Sequence, residues 1–155
     1  MTTGYVSSFE PAMRLALDQA AGASASADIP VGAVVLDDAG TVAGAGHNRQ
    51  HADQDPTAHA EIVAIRQAAQ ARGQWRLDGY TLVVTLEPCT MCAGAVTAAR
   101  LGRLVYGAAD PRAGAAGSLW DLLRDRRLSP HVEVIGGVLE EECAGLLREF
   151  FGRLR

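Results

Sequence analysis

The chain has 155 residues, 48% of them hydrophobic and 21% charged, with a formal net charge of −4. That length fits one domain with a real core, expected to span residues 1–155, and no apolar run is long enough to cross a bilayer. Three cysteines exclude a disulfide framework, and the opening "MTTGYVSSFEPAMRLALDQ" lacks the basic start and apolar centre of a secretory signal, so a cytoplasmic protein with no membrane partner is expected.

In chain order, "SSFEPAMRLALDQAA" reads as a helix: Ser7 and Glu10 have capping-box spacing, and Phe9, Met13, Leu17 and Ala20 recur at helical intervals. "PVGAVVLDDAGTVAGAGHN" holds two short β-type runs around "DDAG", which predicts a hairpin. "PTAHAEIVAIRQAAQARG" predicts a helix opened by Pro56 and closed by Gly73. "YTLVVTLE" is apolar in succession, as a strand buried on both faces would be. "PCTMCAGAVTAARLG" predicts a helix with Pro88 in its first turn, and "RLVYGA" the next strand. After a loop rich in Gly and Ala, "SLWDLLRD" predicts a short helix, "HVEVIGGV" a fifth strand, and "LEEECAGLLREFFGRL" a final amphipathic helix. The sum is an α/β protein: a five-stranded mixed sheet with helices on both faces, parallel in its second half.

All 14 positive residues are arginine. They suit phosphate binding, and they equally suit a genome whose codons favour arginine and alanine. Only Arg124, Arg126, Arg127, Arg148, Arg153 and Arg155 gather towards one end, diluted by Asp125 and Glu140 to Glu142.

Two motifs carry chemistry. "HAE" at 59–61 opens the second long helix, and "PCTMC" at 88–92 follows a buried strand and opens the next. Ligand sites in open α/β sheets gather at the carboxyl ends of strands. His59, Cys89 and Cys92 supply one imidazole and two thiolates, which is a catalytic zinc set with its fourth position left for water. Glu61, two residues from His59, does not share a helix face with it. It can still reach a site at the helix end and act there as a general acid/base. Cys143 would turn this into a closed structural site if it were a fourth ligand. Its spacing with Leu139, Leu147 and Phe150 instead describes a core stripe.

At these residues the chain resembles the zinc-dependent cytidine and nucleotide deaminase superfamily, whose established signature is His-x-Glu with Pro-Cys-x-x-Cys. "IPVGAV", "HN" at 47 and 48, "DPTAHAEI", "TLEPCTMCAGA", "YGAADPRAGAAGSL" and "CAGLLREFF" extend the likeness, over nearly the whole chain, to the bacterial tRNA-specific adenosine deaminases. The most diagnostic part is the loop "GAADPRAGAAGS", which free-base deaminases with the same metal motif generally lack. This resemblance implies a three-layer α/β/α cytidine deaminase-like fold, one zinc per subunit and a homodimer. It also implies hydrolytic deamination of the wobble adenosine in the anticodon stem-loop of an arginine tRNA. The base would be flipped into the zinc pocket, hydroxide would attack C6, and ammonia would leave. The resemblance gives zinc to His59, Cys89 and Cys92 and the proton shuttle to Glu61. It gives the base or ribose to Asn48, purine recognition to the Ala60 N–H and a pocket wall to Val31. Asp110 would meet the nucleotide beside the target, and Phe150 and Phe151 would shape the RNA groove.

Simpler roles stand beside these. Asn48 suits a turn cap, Asp110 before Pro111 suits a turn, and one of the adjacent Phe150 and Phe151 is expected in the core. The acidic balance, and an end at "FFGRLR" without a basic tail, weigh against RNA, so a local arginine patch built across the dimer would have to serve. Two other functions compete: a deaminase of a free base or nucleoside such as guanine or cytosine, and a non-catalytic zinc-stabilised module. Glu61 has no use in the second.

Overall fold

The inner strands alternate cleanly between two faces, and that alternation sets the layering. A computed structural model describes residues 2–129 and 131–154. Five strands, β1 (Gly32–Leu36), β2 (Val42–His47), β3 (Thr81–Leu86), β4 (Arg103–Ala108) and β5 (Glu133–Ile135), form one sheet in the order β2-β1-β3-β4-β5. β1 is antiparallel to both β2 and β3, whereas β3, β4 and β5 run parallel. The helices are α1 (Thr2–Ser7), α2 (Glu10–Ala21), α3 (Gln50–Asp53), α4 (Ala60–Arg72), α5 (Thr90–Ala98) and α6 (Glu140–Arg153).

Ala33, Val35, Leu82, Val84 and Leu104 point to one face, where they pack with Ala60, Ala64 and Ala68 of α4 and Ala93 and Val96 of α5. Val34, Val83 and Val105 point to the other, against Met13 and Ala16 of α2 and Cys143 of α6. The result is the expected three-layer α/β/α arrangement. Small residues let the layers close: a Cβ on Gly32 would run into the Ala16 carbonyl, and one on Gly44 into the Ala64 carbonyl and the Ala68 nitrogen.

Several boundaries differ from the sequence expectations. Ser7 does not cap α2. It closes α1, its hydroxyl bonded back to the Gly4 carbonyl at 3.0 Å, while Phe9 stands at the α2 N-cap without a side-chain bond. α4 opens at Ala60 rather than at Pro56, because the intervening backbone is already committed. Asp55 accepts the Thr57 N–H at 2.8 Å in an Asx turn, and Arg49 N–H binds the Ala58 carbonyl at 2.9 Å. Pro88 likewise precedes α5 instead of lying in its first turn. "SLWDLLRD" is not helical: Ala116 and Asp121 make an isolated antiparallel bridge there, and Gly117 has φ 133°. The hairpin, β3, β4 and α6 stand close to where the sequence puts them. Arg155, of the expected arginine group, lies outside the described residues.

Candidate metal centre and active site

His59 and Cys89 occupy equivalent positions in the fold. Each is the N-cap of its helix, α4 and α5, with extended backbone (φ −72°, ψ 155° and φ −73°, ψ 179°), and neither spends its side chain on capping. Both side chains are therefore free to point past the helix ends. His59 Nδ1 lies 3.4 Å from Cys92 Sγ and 3.7 Å from Cys89 Sγ. The three ligand atoms all lie within 4.8 Å of one another. Tetrahedral ligands at ordinary Zn–N and Zn–S bond lengths stand about 3.5 Å apart. Donor set and spacing both fit zinc, so His59, Cys89 and Cys92 are positioned to form a zinc site.

The charge state fits as well. The hydrogen bond with Cys92, working against burial and aided by His59, pushes the Cys89 thiol down to about 3. The same bond together with burial pushes the Cys92 thiol up, and bonding to Cys89 raises the His59 imidazole. The cluster thus holds a thiolate and a retained proton, which a divalent cation would displace.

Cys143 takes no part. It is buried in the core between α6 and β4, on the sheet face opposite α4 and α5, and burial raises its thiol to about 12. Among the described residues no other His, Cys, Asp or Glu completes the metal-ligand group, so the site remains open in the sense a catalytic metal requires.

Glu61, in the first turn of α4, is only 4% exposed. Burial raises its carboxyl above the usual range, partly offset by its own backbone N–H, by His59 and by a bond with Cys92. Asn48 is 6% exposed, and its side-chain carbonyl accepts the Ala60 N–H at 2.9 Å. That hydrogen is spent on Asn48, so the Ala60 N–H expected to read the purine is not free in this arrangement. Asn48 in turn is held from behind, its own N–H bonded to the buried Val31 at 3.1 Å.

Glu87, which the sequence reading passed over, turns out to organise the next wall. It is 2% exposed, and its carboxylate accepts the N–H groups of Asp110 (3.1 Å), Ala116 (3.0 Å) and Ser118 (3.1 Å) and the Ser118 hydroxyl. Burial works to raise its pKa, but the Ser118, Asp110 and Ala116 hydrogen bonds outweigh it and hold the carboxyl below the usual range. A carboxylate directly before Pro-Cys, at the end of a doubly buried strand, was the available signal.

Beside this wall lies a cavity of about 900 Å³, bordered by Ile29, Asp110, Arg112, Leu147, Arg148 and Phe151 among others. It contains none of the metal ligands; Leu86, three residues before Cys89, and Asp110, whose N–H binds Glu87, are among its borders. Asp110 also makes a turn, its Oδ1 taking the Arg112 and Ala113 N–H groups, so both readings of this residue coexist. Phe151 is 45% exposed and lines the cavity, and Phe150 stacks edge-on against it at 5.3 Å; neither joins the buried core. The arginine group is largely neutralised: Arg124, Arg127, Arg148 and Arg153 each pair with a nearby carboxylate. Arg112 has no ion pair among the described residues.

A family model described as the cytidine and deoxycytidylate deaminase zinc-binding region matches residues 7–108. A tRNA-specific adenosine deaminase of Bacillus subtilis is 46% identical over 143 residues, covering 92% of this chain and 88% of its own. A solved structure from studies of A-to-I editing by tRNA:A34 deaminases at the wobble position superposes with a TM-score of 0.83 at 45% identity, covering 88% of this chain and 98% of that one. A guanine deaminase of Nitrosomonas europaea superposes with a TM-score of 0.80 at 27% identity, over 92% of this chain and 84% of that one.

Proposed function

Because the chain belongs to the cytidine and deoxycytidylate deaminase zinc-binding family, we propose that it is a hydrolytic deaminase acting as one domain, converting the wobble adenosine of a tRNA anticodon, of the arginine class, to inosine. The observation that carries this reading is the three-ligand centre of His59, Cys89 and Cys92 in a chain 46% identical to a tRNA-specific adenosine deaminase, and a separate cavity of about 900 Å³ edged by Arg112, Arg148 and Phe151 supports an RNA partner. A free purine would leave most of such a space empty, whereas an RNA loop brings flanking bases to stack and phosphates to meet arginine.

His59, Cys89 and Cys92 would hold a zinc ion, which would supply Lewis acidity and lower the pKa of a bound water. Glu61 holds and moves the protons. Its buried carboxylate takes one proton from the attacking water and passes it to the ring nitrogen, then takes the second from the added hydroxyl and passes it to the amino group, which leaves as ammonia. Asn48 orients the nucleoside through its side-chain amide, whose carbonyl is fixed by Ala60. Val31 closes the pocket behind it, and the buried surroundings of Glu61 and Cys92 exclude bulk water. Asp110 meets the nucleotide beside the target, and Phe150 and Phe151 guide the anticodon loop. The working unit is a homodimer, in which a local arginine patch built across the two copies meets the RNA although each chain carries a net charge of −4.

The net charge and the likeness to a guanine deaminase favour one second reading, deamination of a free base. The test offers the zinc-loaded protein an anticodon stem-loop with A at the wobble position and, separately, guanine, cytosine and adenosine. Inosine in the stem-loop alone is expected. Turnover of a free base with the stem-loop untouched would overturn the proposal. Sedimentation of the loaded protein is expected to give twice the chain mass.

A further inference from the structure

The 109–118 loop borders the cavity but has little to hold itself with. Four of its ten residues are alanine and two are glycine, so packed side chains contribute little against the entropy of ordering it. Beyond the turn that Asp110 makes with Arg112, Ala113 and Gly114, its ends are held by one buried carboxylate outside it. Glu87 Oε1 takes the N–H of Asp110 at the loop's start and the Ser118 hydroxyl at its end, while Oε2 takes the N–H groups of Ala116 and Ser118. A Cβ on Gly114 would collide with that carboxylate, so the loop wraps it closely. The neighbouring backbone adds two bonds: Glu87 N–H to the Ala108 carbonyl at 2.8 Å, and Ala115 N–H to the Pro88 carbonyl at 2.8 Å. The next residue is the zinc ligand Cys89.

We propose that Glu87 is a positioning residue: it fixes the Asp110–Arg112 wall of the cavity in register with the metal centre, and so governs how the RNA loop binds. Zinc retention and proton transfer remain with His59, Cys89, Cys92 and Glu61. The inference rests on the tRNA reading above. Asp110 faces the cavity because both of its ends are occupied, its N–H by Glu87 and its Oδ1 by Arg112 and Ala113. Arg112 follows from the same turn. Charge-assisted hydrogen bonds to a desolvated carboxylate are among the stronger polar contacts, and four of them converge here.

Two variants test it in the zinc-loaded protein. Glu87→Gln keeps the shape but replaces an acceptor oxygen with an NH₂ that faces N–H donors. Ser118→Ala removes one hydroxyl donor and leaves the carboxylate in place. Amide exchange over 109–118 is expected to quicken in both, with 59–64, 89–96 and the zinc content unchanged. On the anticodon stem-loop, KM is expected to rise about tenfold or more for Glu87→Gln and severalfold for Ser118→Ala, with kcat within about twofold. A fall in kcat at constant KM, loss of zinc, or unchanged loop exchange would each overturn the proposal. If Glu87→Gln does not fold, Ser118→Ala decides by the same criteria. A wild-type chain that leaves the stem-loop untouched overturns the substrate reading instead, and the exchange data still decide the anchoring.

Discussion

Glu61 and Glu87 are both buried carboxylates, yet their surroundings pull them in opposite directions. Burial dominates at Glu61 and favours the protonated form, while the hydrogen-bond donors around Glu87 favour the charged one. The first is suited to exchanging protons and the second to holding a loop. Glu61→Gln preserves size and burial but cannot carry the proton. It is expected to lower inosine formation by at least about 10²-fold while one zinc per chain remains, checked by metal analysis beside a turnover assay. At this scale the three metal-ligating residues were legible because an imidazole and two thiolates at that spacing have few other joint uses. The bond from Ala60 to Asn48 was not: the two lie 12 positions apart and meet only because the hairpin returns β2 beside the start of α4. Glu87 escaped for a similar reason, since its partners lie 23 to 31 residues further along the chain.

The elements place the chemistry by where they begin. Two helices present uncapped starts to one point, and the strands behind them hold those starts at fixed distances. That spacing depends on Gly44, which lets α4 rest on β2. Gly44→Ala is expected to destabilise the fold by about 1–3 kcal/mol, read as a lower melting temperature with zinc bound. A second tether joins the segment after α2 to α3. The Asp28 carboxylate takes the His51 N–H at 2.7 Å, the Ala52 N–H at 3.2 Å and the Ser26 hydroxyl. Burial works to raise its pKa, but these donors outweigh it and leave the folded value depressed. Its stabilising contribution is therefore complete above the ordinary carboxylate value near 4 and lost as pH falls through the folded value. Urea midpoints measured from about pH 6 to pH 2 should fall less steeply for Asp28→Asn, which should already be weaker at the upper end. Elements with a strong internal pattern, such as β3 and α6, could be read directly. "SLWDLLRD" carries a helical pattern that loses to tertiary bonding: Glu87 claims the Ser118 N–H, and Ala115 claims the Leu122 N–H.

The whole molecule must bind a polyanion with a net charge of −4. Most of its arginines are committed to carboxylates, so the proposed tRNA contact would rest on few phosphates together with stacking on exposed aromatic side chains. Binding of the stem-loop is accordingly expected to depend weakly on salt, with a slope of log K against log salt of about −1 to −3. Arg112→Ala should reduce that slope by about one, measured by titration at several ionic strengths. The three thiols are also divided between the two faces of the sheet, two at the metal and one sealed beneath α6. That division makes the chain a reporter of its own occupancy. With zinc bound, a thiol reagent should label almost nothing. Chelation should release one equivalent per chain, the half-buried low-pKa Cys89, and the buried Cys92 and Cys143 should appear only on unfolding. A simple colorimetric count would then separate loaded, empty and unfolded molecules in one sample, with no probe engineered in.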